Sequence, residues 1–222
     1  MSKHDEARRA FLIAAAAGAV AHAGLSPEAV AQEAKPASSP TAPNPTSDGA
    51  GRGAFFGAED AATVAAFVER LMPGAPGIPG AREVGVLNYI DLALAGAYAD
   101  QQEFYRAGLT ALDAYCRGTH NAAFVRLDAP RQDAVIKALE DNKAPGFTWP
   151  SAGAFFNTLR THTMEGMFAD PIYGGNKDFA GWRLVGFPGA QPVFSEAEMA
   201  SKDAFTRGPI IGLRAQAPLR RS

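Results

Sequence analysis

The chain has very little of what metal and cofactor sites are usually built from. Its 222 residues include one cysteine, Cys116, and four scattered histidines, so no cysteine and histidine set has the spacing of a metal site. It contains no apolar run of 18 or more residues, which excludes an ordinary membrane-spanning helix. Its net charge of −2 gives no indication of the basic surface that nucleic acid requires.

Signatures of an active site are also missing. No glycine pattern matches a phosphate loop or a dinucleotide fingerprint. Asn176-x-Asp178 resembles the start of a calcium loop, but the remaining ligands and the closing Glu are absent. Ser151 and His162 lie about three helical turns apart and cannot meet as nucleophile and base. Acid–base catalysis by a pair such as His162 and Glu165 stays open as an alternative, although a packed histidine and a solvated helix-end acid are the ordinary interpretations.

The first 31 residues have the layout of an export signal. Arg8 and Arg9 precede Phe11-Leu12 and a short, alanine-rich apolar run, an arrangement that resembles the bacterial twin-arginine signal. Cleavage is expected after Ala23 or after Ala31. Twin-arginine export carries folded proteins, usually with cofactors in place, so the pattern predicts a periplasmic protein that engages the twin-arginine translocase.

Three further segments are predicted from composition and periodicity. Residues 32–54 are rich in Pro, Ser, Ala and Thr and are expected to form a disordered linker. Residues 55–207 are expected to form one helical domain, and 208–222 an extended tail.

The expected fold is all-α, a small irregular bundle without strands. Apolar residues recur at helical spacing in five runs, near 59–72, from about 82, 100–117, from 128, and 150–169. Gly118 is the expected C-cap of the third run, and Asp128 the N-cap of the fourth.

The most unusual stretch is a long loop rich in aromatic residues and glycine, residues 171–189, with Tyr173, Phe179, Trp182 and Phe187 as its large rings. Gly174 and Gly175 allow either positive φ or a close backbone approach. Asn176 and Asp178 are expected to hold the loop through side-chain to backbone hydrogen bonds.

Cys116 has two interpretations. A lone cysteine on an apolar helix face is usually a small buried hydrophobe. In an oxidising compartment an unpaired cysteine can instead bridge to a partner subunit.

Several of these residues together resemble one known family. They are Pro76-Gly77-Ile78-Pro79-Gly80-Ala81, Gly85-Val86, Tyr89-Ile90-Asp91, Tyr105, Gly108-Leu109, Phe124-x-x-Leu127, and above all Pro171-x-Tyr173-Gly174-Gly175-Asn176-x-Asp178-x-x-Gly181-Trp182 ending in Gly186-Phe187-Pro188-Gly189. Over residues 55–190 the chain resembles the gluconate 2-dehydrogenase subunit 3 family, the small or gamma subunit of membrane-bound, FAD-dependent sugar and alcohol dehydrogenases.

The resemblance implies a subunit without a cofactor of its own. FAD, and in some members an iron–sulfur cluster, would lie in a large catalytic partner, and haem c in a multihaem cytochrome subunit. The small subunit would escort the large one through folding and export, and the complex would sit at the periplasmic face of the inner membrane. Tyr173, Trp182 and Phe187 would then either dock on the large subunit or wedge the loop against the chain's own helices. A free-standing periplasmic binding protein is the alternative.

Overall fold

The computed structural model describes residues 53–190, 193–203 and 210–215. The predicted signal, with Arg8, Arg9, Phe11 and Leu12, lies outside the described residues, as does the predicted linker up to residue 52.

The described part of the chain is built from helices. They are α1 (Ala58–Leu71), α2 (Val86–Ala95), α3 (Gln102–His120), α4 (Ala129–Glu140), α5 (Ala152–Phe168), α6 (Ala180–Val185) and α7 (Glu196–Ala200). The described residues contain no strand, only two isolated bridges, and the all-α prediction is confirmed. Within those residues, no helix is at once long and apolar enough to cross a bilayer.

α5 is the central helix of the bundle. It packs against α1, α2, α3, α4 and α6. Its buried face carries Phe155, Phe156, Leu159 and Met167, so the core forms around this one element. The apolar spacing that predicts the helix therefore also predicts most of the core.

Caps decide where the helices begin and end. Asp128 accepts a hydrogen bond from Arg131 N (3.1 Å) as predicted for an N-cap, and Ser151 accepts one from Ala154 N (3.2 Å).

The prediction for Gly118 was wrong, because α3 continues to His120. Asn121 ends it instead in the left-handed region, with φ of 55°, and donates to Arg117 O. α2 begins at Val86 rather than near residue 82, since Gly85 has a φ of 83° and interrupts the helix.

A buried aspartate attaches the first described residues to the bundle. The Asp91 carboxylate accepts hydrogen bonds from the backbone N–H groups of Ala54 (2.5 Å), Phe55 (2.9 Å) and Phe56 (2.7 Å). A Cβ on Gly53 would lie 2.6 Å from Asp91 Oδ2, so any larger residue there would displace the carboxylate from these hydrogen bonds. Ala54, which composition places in the linker, is therefore already part of the fold.

Ile211 and Leu213 also lie against the bundle. Ile211 pairs with Gly189, and its carbonyl accepts from Ala190 N (2.9 Å). Asp170 accepts from Ile172 N (2.9 Å) and Leu213 N (2.7 Å). Residues 211 and 213, within the segment predicted as an extended tail, are thus held near the end of α5.

Gly108 tests how tightly α3 packs on α5. A Cβ there would lie 2.2 Å from the fully buried Phe155 ring, whereas a Cβ on Gly118, in the same helix, would meet nothing within 4 Å. We expect Gly108→Ala to lower the free energy of unfolding by about 1–2 kcal/mol, after allowance for the better helix propensity of alanine. Gly118→Ala should leave it unchanged or raise it by up to ~1 kcal/mol. The measurement is the free energy of unfolding of both variants in urea. An equal change in the two variants would contradict the close contact between Gly108 and Phe155.

Candidate functional site

The block at residues 171–189 is an ordered cap on α5 rather than an open loop. It contains two 3-10 turns, Pro171–Tyr173 and Lys177–Phe179, followed directly by α6. α6 ends at Gly186, which has a φ of 72°. Periodicity does not predict α6, because it is six residues long and is preceded by residues in the left-handed region.

The donors of the block satisfy the carbonyl groups at the end of α5. The last carbonyls of a helix have no partner within the helix. Asn176 N donates to Gly166 O (2.8 Å), and the Asn176 amide donates to Ala169 O (2.8 Å). The Trp182 indole N–H donates to Phe168 O (2.6 Å). The most distinctive residues of the sequence therefore terminate the central helix.

The paired glycines serve the two purposes predicted for them, one each. Gly174 has a φ of 94°, which glycine adopts without strain. Gly175 allows a close approach, since a Cβ there would lie 2.3 Å from Gly166 O. Gly181 has the same role, because its Cβ would lie 1.9 Å from Met167 O. The backbone of the block thus lies directly on the end of α5.

Asn176 and Asp178 differ in what holds them. Asn176 is fully buried, and its side-chain oxygen accepts from Gly181 N (2.8 Å), as predicted for a residue that fixes the loop. Asp178 is exposed, and within the described residues its carboxylate accepts no hydrogen bond. The prediction for its side chain was wrong; its backbone carbonyl, not its carboxylate, accepts from Arg183.

Backbone strain is concentrated in the same few residues. Asn176, Asp178 and Phe179 have φ values of 45°, 56° and 58°. Asn and Asp tolerate this region, but a bulky residue such as Phe rarely occupies it. Strain of this kind persists only where surrounding contacts fix the backbone, and it occurs preferentially at functional segments.

The aromatic rings of the block face in two directions. Trp182 is 6% exposed, stacks on Phe179 (5.3 Å between centroids) and meets Phe187 edge to face (4.9 Å). Tyr173, by contrast, is 56% exposed, and Phe187 is also exposed. Trp182 therefore wedges the block against this chain's own helices, whereas Tyr173 and Phe187 are accessible to a partner.

Exchanging Asn176 for its isostere should open the cap. Asn176→Asp removes the donor to Ala169 O and sets a carboxylate oxygen against that carbonyl in a buried position. We expect a loss of about 2–4 kcal/mol in the free energy of unfolding, measured by thermal and urea denaturation. The matched variant Asp178→Asn tolerates the same backbone region and should change stability by less than ~0.5 kcal/mol. Comparable losses in the two variants would show that Asn176 is not the residue that closes the cap.

A second cluster of residues connects α2 and α3 to α5. Its members are Tyr89, Tyr98, Tyr105, His162 and Glu165. The Tyr89 hydroxyl (3.0 Å) and the Tyr98 hydroxyl (3.2 Å) both donate to Glu165 Oε2. The buried His162 Nδ1 is hydrogen-bonded to the Tyr105 hydroxyl at 2.7 Å. The His162 ring is also stacked between Tyr98 (4.7 Å) and Tyr105 (5.7 Å).

This cluster defines the roles of His162 and Glu165. Burial lowers the pKa of the His162 imidazole from its ordinary value, with the nearby Glu165 acting in the opposite direction. Burial, together with the hydrogen bond to Glu165, raises the pKa of Tyr89. His162 is therefore a packed core histidine, and Glu165 accepts two tyrosine hydroxyls instead of standing free in solvent as expected. Their partners are tyrosines, not each other.

The buried histidine should make stability depend on pH. Because its folded pKa lies below the unfolded value of about 6.5, the unfolded chain binds more protons there. The free energy of unfolding therefore decreases as pH falls below about 6.5, by at most ~1.4 kcal/mol per pH unit for this group. His162→Asn should show a smaller decrease between pH 7.5 and 5.5 than the unchanged chain, by urea titration. His120→Asn, at the end of α3, should keep the full decrease; an unaltered pH profile in His162→Asn would contradict the assignment.

Cys116 is completely buried on α3, and burial raises the pKa of its thiol to about 12. A thiol in this position is neither accessible nor readily ionised. The structure therefore favours the buried-hydrophobe interpretation, since a bridge to a partner would require α3 to move.

The described residues offer no ligand set for a metal ion, and the two depressions beside the block are open to solvent. The described residues include no group of three or more His, Cys, Asp or Glu residues placed to hold a metal ion. Two open surface depressions flank the block. One of about 360 Å³ lies between residues 75–79 and Lys177 to Arg183, and one of about 140 Å³ lies between Asp170 and Gly212.

The sequence analysis missed two sets of buried hydrogen bonds, those of Asp91 with the backbone of residues 54–56 and those of the tyrosines with Glu165. Asp91 is the one acidic residue in an otherwise largely apolar α2, and that isolation is a usable signal. The tyrosine cluster joins residues 67 and 76 positions apart in the chain, so no local pattern predicts it.

These features define a small all-helical protein in which one distinctive block closes the end of the central helix. The chain belongs to the gluconate 2-dehydrogenase subunit 3 family, whose model matches residues 58–189. The resemblance inferred from the sequence is confirmed, and with it the association of this family with a dehydrogenase complex. The match ends at Gly189, the last residue of the block. Searches of curated proteins and of solved structures found no match.

Proposed function

We propose that this chain is the non-catalytic small subunit of a periplasmic, membrane-associated, FAD-dependent sugar or alcohol dehydrogenase. In this role it escorts the flavin-bearing subunit through folding and twin-arginine export. One observation carries the proposal. Gly175, Asn176 and Gly181 of the block are occupied in closing α5, yet the same block presents Tyr173 and Phe187 to the outside. Such a block is suited to present a surface.

The chemistry would take place in the partner subunit. Hydride transfer from a sugar or polyol needs a flavin held against the substrate, and the protein that binds the cofactor positions it. FAD, an iron–sulfur cluster in some complexes, and the haem c of a cytochrome subunit would all lie in other chains. This chain would contribute a rigid helical body and an interface with aromatic anchors.

Support for the export role comes from the sequence alone. The Arg8-Arg9 pair followed by Phe11-Leu12 has the twin-arginine pattern, which belongs to proteins exported in the folded state. A signal on the small subunit would serve a partner that folds around its flavin before it crosses the membrane.

The proposal is tested by co-expressing the tagged full chain with the flavin dehydrogenase subunit of the same host. We expect the two proteins to co-purify from the periplasm with bound flavin, seen by its absorption spectrum. Arg8→Lys/Arg9→Lys should retain them together in the cytoplasm, because the signal and not the interface is altered. Arg220→Lys/Arg221→Lys, a second arginine pair far from the signal, is the matched control and should export normally.

Two outcomes would overturn the proposal. The first is the chain leaving its host with no flavoprotein attached, which would favour a free-standing periplasmic binding protein. The second is turnover of a sugar by the purified chain alone in an assay with an acceptor dye, which would make it an enzyme in its own right.

A further inference from the structure

Two distinctive stretches of the sequence lie side by side on the surface. Residues 75–79, in the proline- and glycine-rich turn after α1, form one wall of the open depression of about 360 Å³, and Lys177 to Arg183 of the block form the other. Closing α5 accounts for the block but not for the turn, so the depression is the feature that the two stretches share. We call it the charged depression, and its lining also includes Glu83.

The turn is held in place within the chain itself. Ala75 N donates to Ile78 O (2.8 Å), and Ile78 N donates to Ala75 O (2.7 Å), so the turn closes on itself. The Glu69 carboxylate accepts from Gly74 N (3.1 Å) and from Arg82 N (2.9 Å), which fixes both ends of the turn to α1. Because such a wall needs no ordering when a partner binds, the entropic cost of association is reduced.

The opposite wall is joined to the first by the backbone. Lys177 N donates to Val84 O (3.0 Å), and Val84 is fully buried. Arg183 donates to the backbone carbonyl of Asp178, so the end of this wall is fixed to its start. The charged depression is therefore preformed and is not a gap between two independent loops.

The lining carries exposed charged side chains of both signs in equal number. They are Glu83, Lys177, Asp178 and Arg183. None of the four forms an ion pair within the described residues. The neighbouring Glu69 and Arg82 add one charge of each sign and leave the balance unchanged. Unpaired charges of both signs match a surface with the opposite arrangement, and such complementarity selects a partner and fixes its orientation.

Charge and shape distinguish between possible occupants. An anionic lipid surface or a nucleic acid requires an excess of Lys and Arg, which this balanced lining lacks. Small-molecule sites are mostly apolar and enclose their ligand, whereas the charged depression is open. A segment of another protein that carries charges of both signs fits these two features. Since the chain belongs to a family associated with a dehydrogenase complex, the catalytic subunit is the partner that the family provides.

We propose that the charged depression receives a segment of the flavin-bearing catalytic subunit whose acidic side chains face Lys177 and Arg183 and whose basic side chains face the two carboxylates of the lining. This inference rests on the proposed function and deepens it by adding a charged contact to the aromatic one. The charged contact selects the partner and fixes its orientation, whereas the aromatic anchors supply apolar contact area.

The test reverses single charges and then exchanges them, by titrating the purified chain against the flavin-bearing subunit. Lys177→Glu and Glu83→Lys should each weaken binding about ten-fold or more, because each sets like charges against one another. The double variant Lys177→Glu/Glu83→Lys keeps the net charge of the parent, but its charges no longer match those of the partner. It should bind at least as weakly as the single variants. Recovery of parental binding in the double variant would show that only net charge matters and would overturn the proposal.

Two reversals outside the lining provide the matched control. Arg126→Glu and Glu103→Lys make the same changes of charge at exposed positions and should bind like the unchanged chain. Within the described residues, the side chains of Lys177 and Glu83 make no hydrogen bond, so their reversal should leave the urea unfolding midpoint nearly unchanged. Equal weakening by the control reversals would indicate a non-specific charge effect and would overturn the proposal.

Hydrogen exchange provides an independent measurement on the unaltered complex. Peptides covering 74–80 and 177–184 should both exchange more slowly in the complex than in the free chain, while peptides covering 121–127 should not change. If the complex forms but neither wall is protected and Lys177→Glu binds normally, the assignment of the depression is overturned and the proposed function stands. If no complex forms with the unaltered chain, the proposed function itself fails.

Three further results would assign the charged depression to a different occupant. Self-association of the free chain that Lys177→Glu abolishes, measured by sedimentation, would assign it to a second copy. Binding of gluconate to the free chain, measured by calorimetry and lost in the same variant, would assign it to a small carboxylate ligand. Binding to phosphatidylglycerol vesicles that is lost in this variant would assign it to the membrane. Each of these results overturns the proposal.

Discussion

The architecture depends on how the carbonyl end of α5 is satisfied. α5 touches five other helices, so its last turn lies where unpaired carbonyl groups would be costly. Asn176 and Trp182 supply the missing donors from a segment that follows in sequence and doubles back. Because those donors reach their acceptors only when the backbone passes close to α5, Gly175 and Gly181 are required as well. One hydrogen-bonding requirement thus explains several residues of an otherwise puzzling block.

This requirement separates the structural part of the block from its accessible part. The residues that contact α5 are hydrogen-bonded to it or closely packed against it, whereas the side chains of Tyr173 and Phe187 are exposed to solvent. Gly189, the last residue of the block, pairs with Ile211, and Leu213 two residues further on donates to Asp170 at the end of α5. Within the block, the residues that close α5 are therefore distinct from the residues that remain accessible.

The features that the sequence predicts are those with a local physical cause. The apolar faces of α1 to α5 and the cap Asp128 depend on nearest neighbours along the chain. The two possible roles of the paired glycines follow from the residue type, but which glycine takes which role depends on the contact with α5. α6 is not predictable, because it follows non-glycine residues at positive φ, and such residues are held there only by tertiary contacts. The pairing of His162 with Tyr105 and of Glu165 with Tyr89 depends on how α3 and α2 lie against α5, which periodicity does not specify.

The Asp91 contact has a mechanical consequence. Three successive N–H groups converge on one carboxylate that belongs to the middle of the bundle, not to the helix that follows them in sequence. Tension applied to the chain ahead of residue 53 therefore acts first on these hydrogen bonds and on the buried Phe56 ring beside Tyr105. The helices are loaded only after these contacts have broken. The Asp91 carboxylate is therefore the point at which force from the N-terminal side is first resisted.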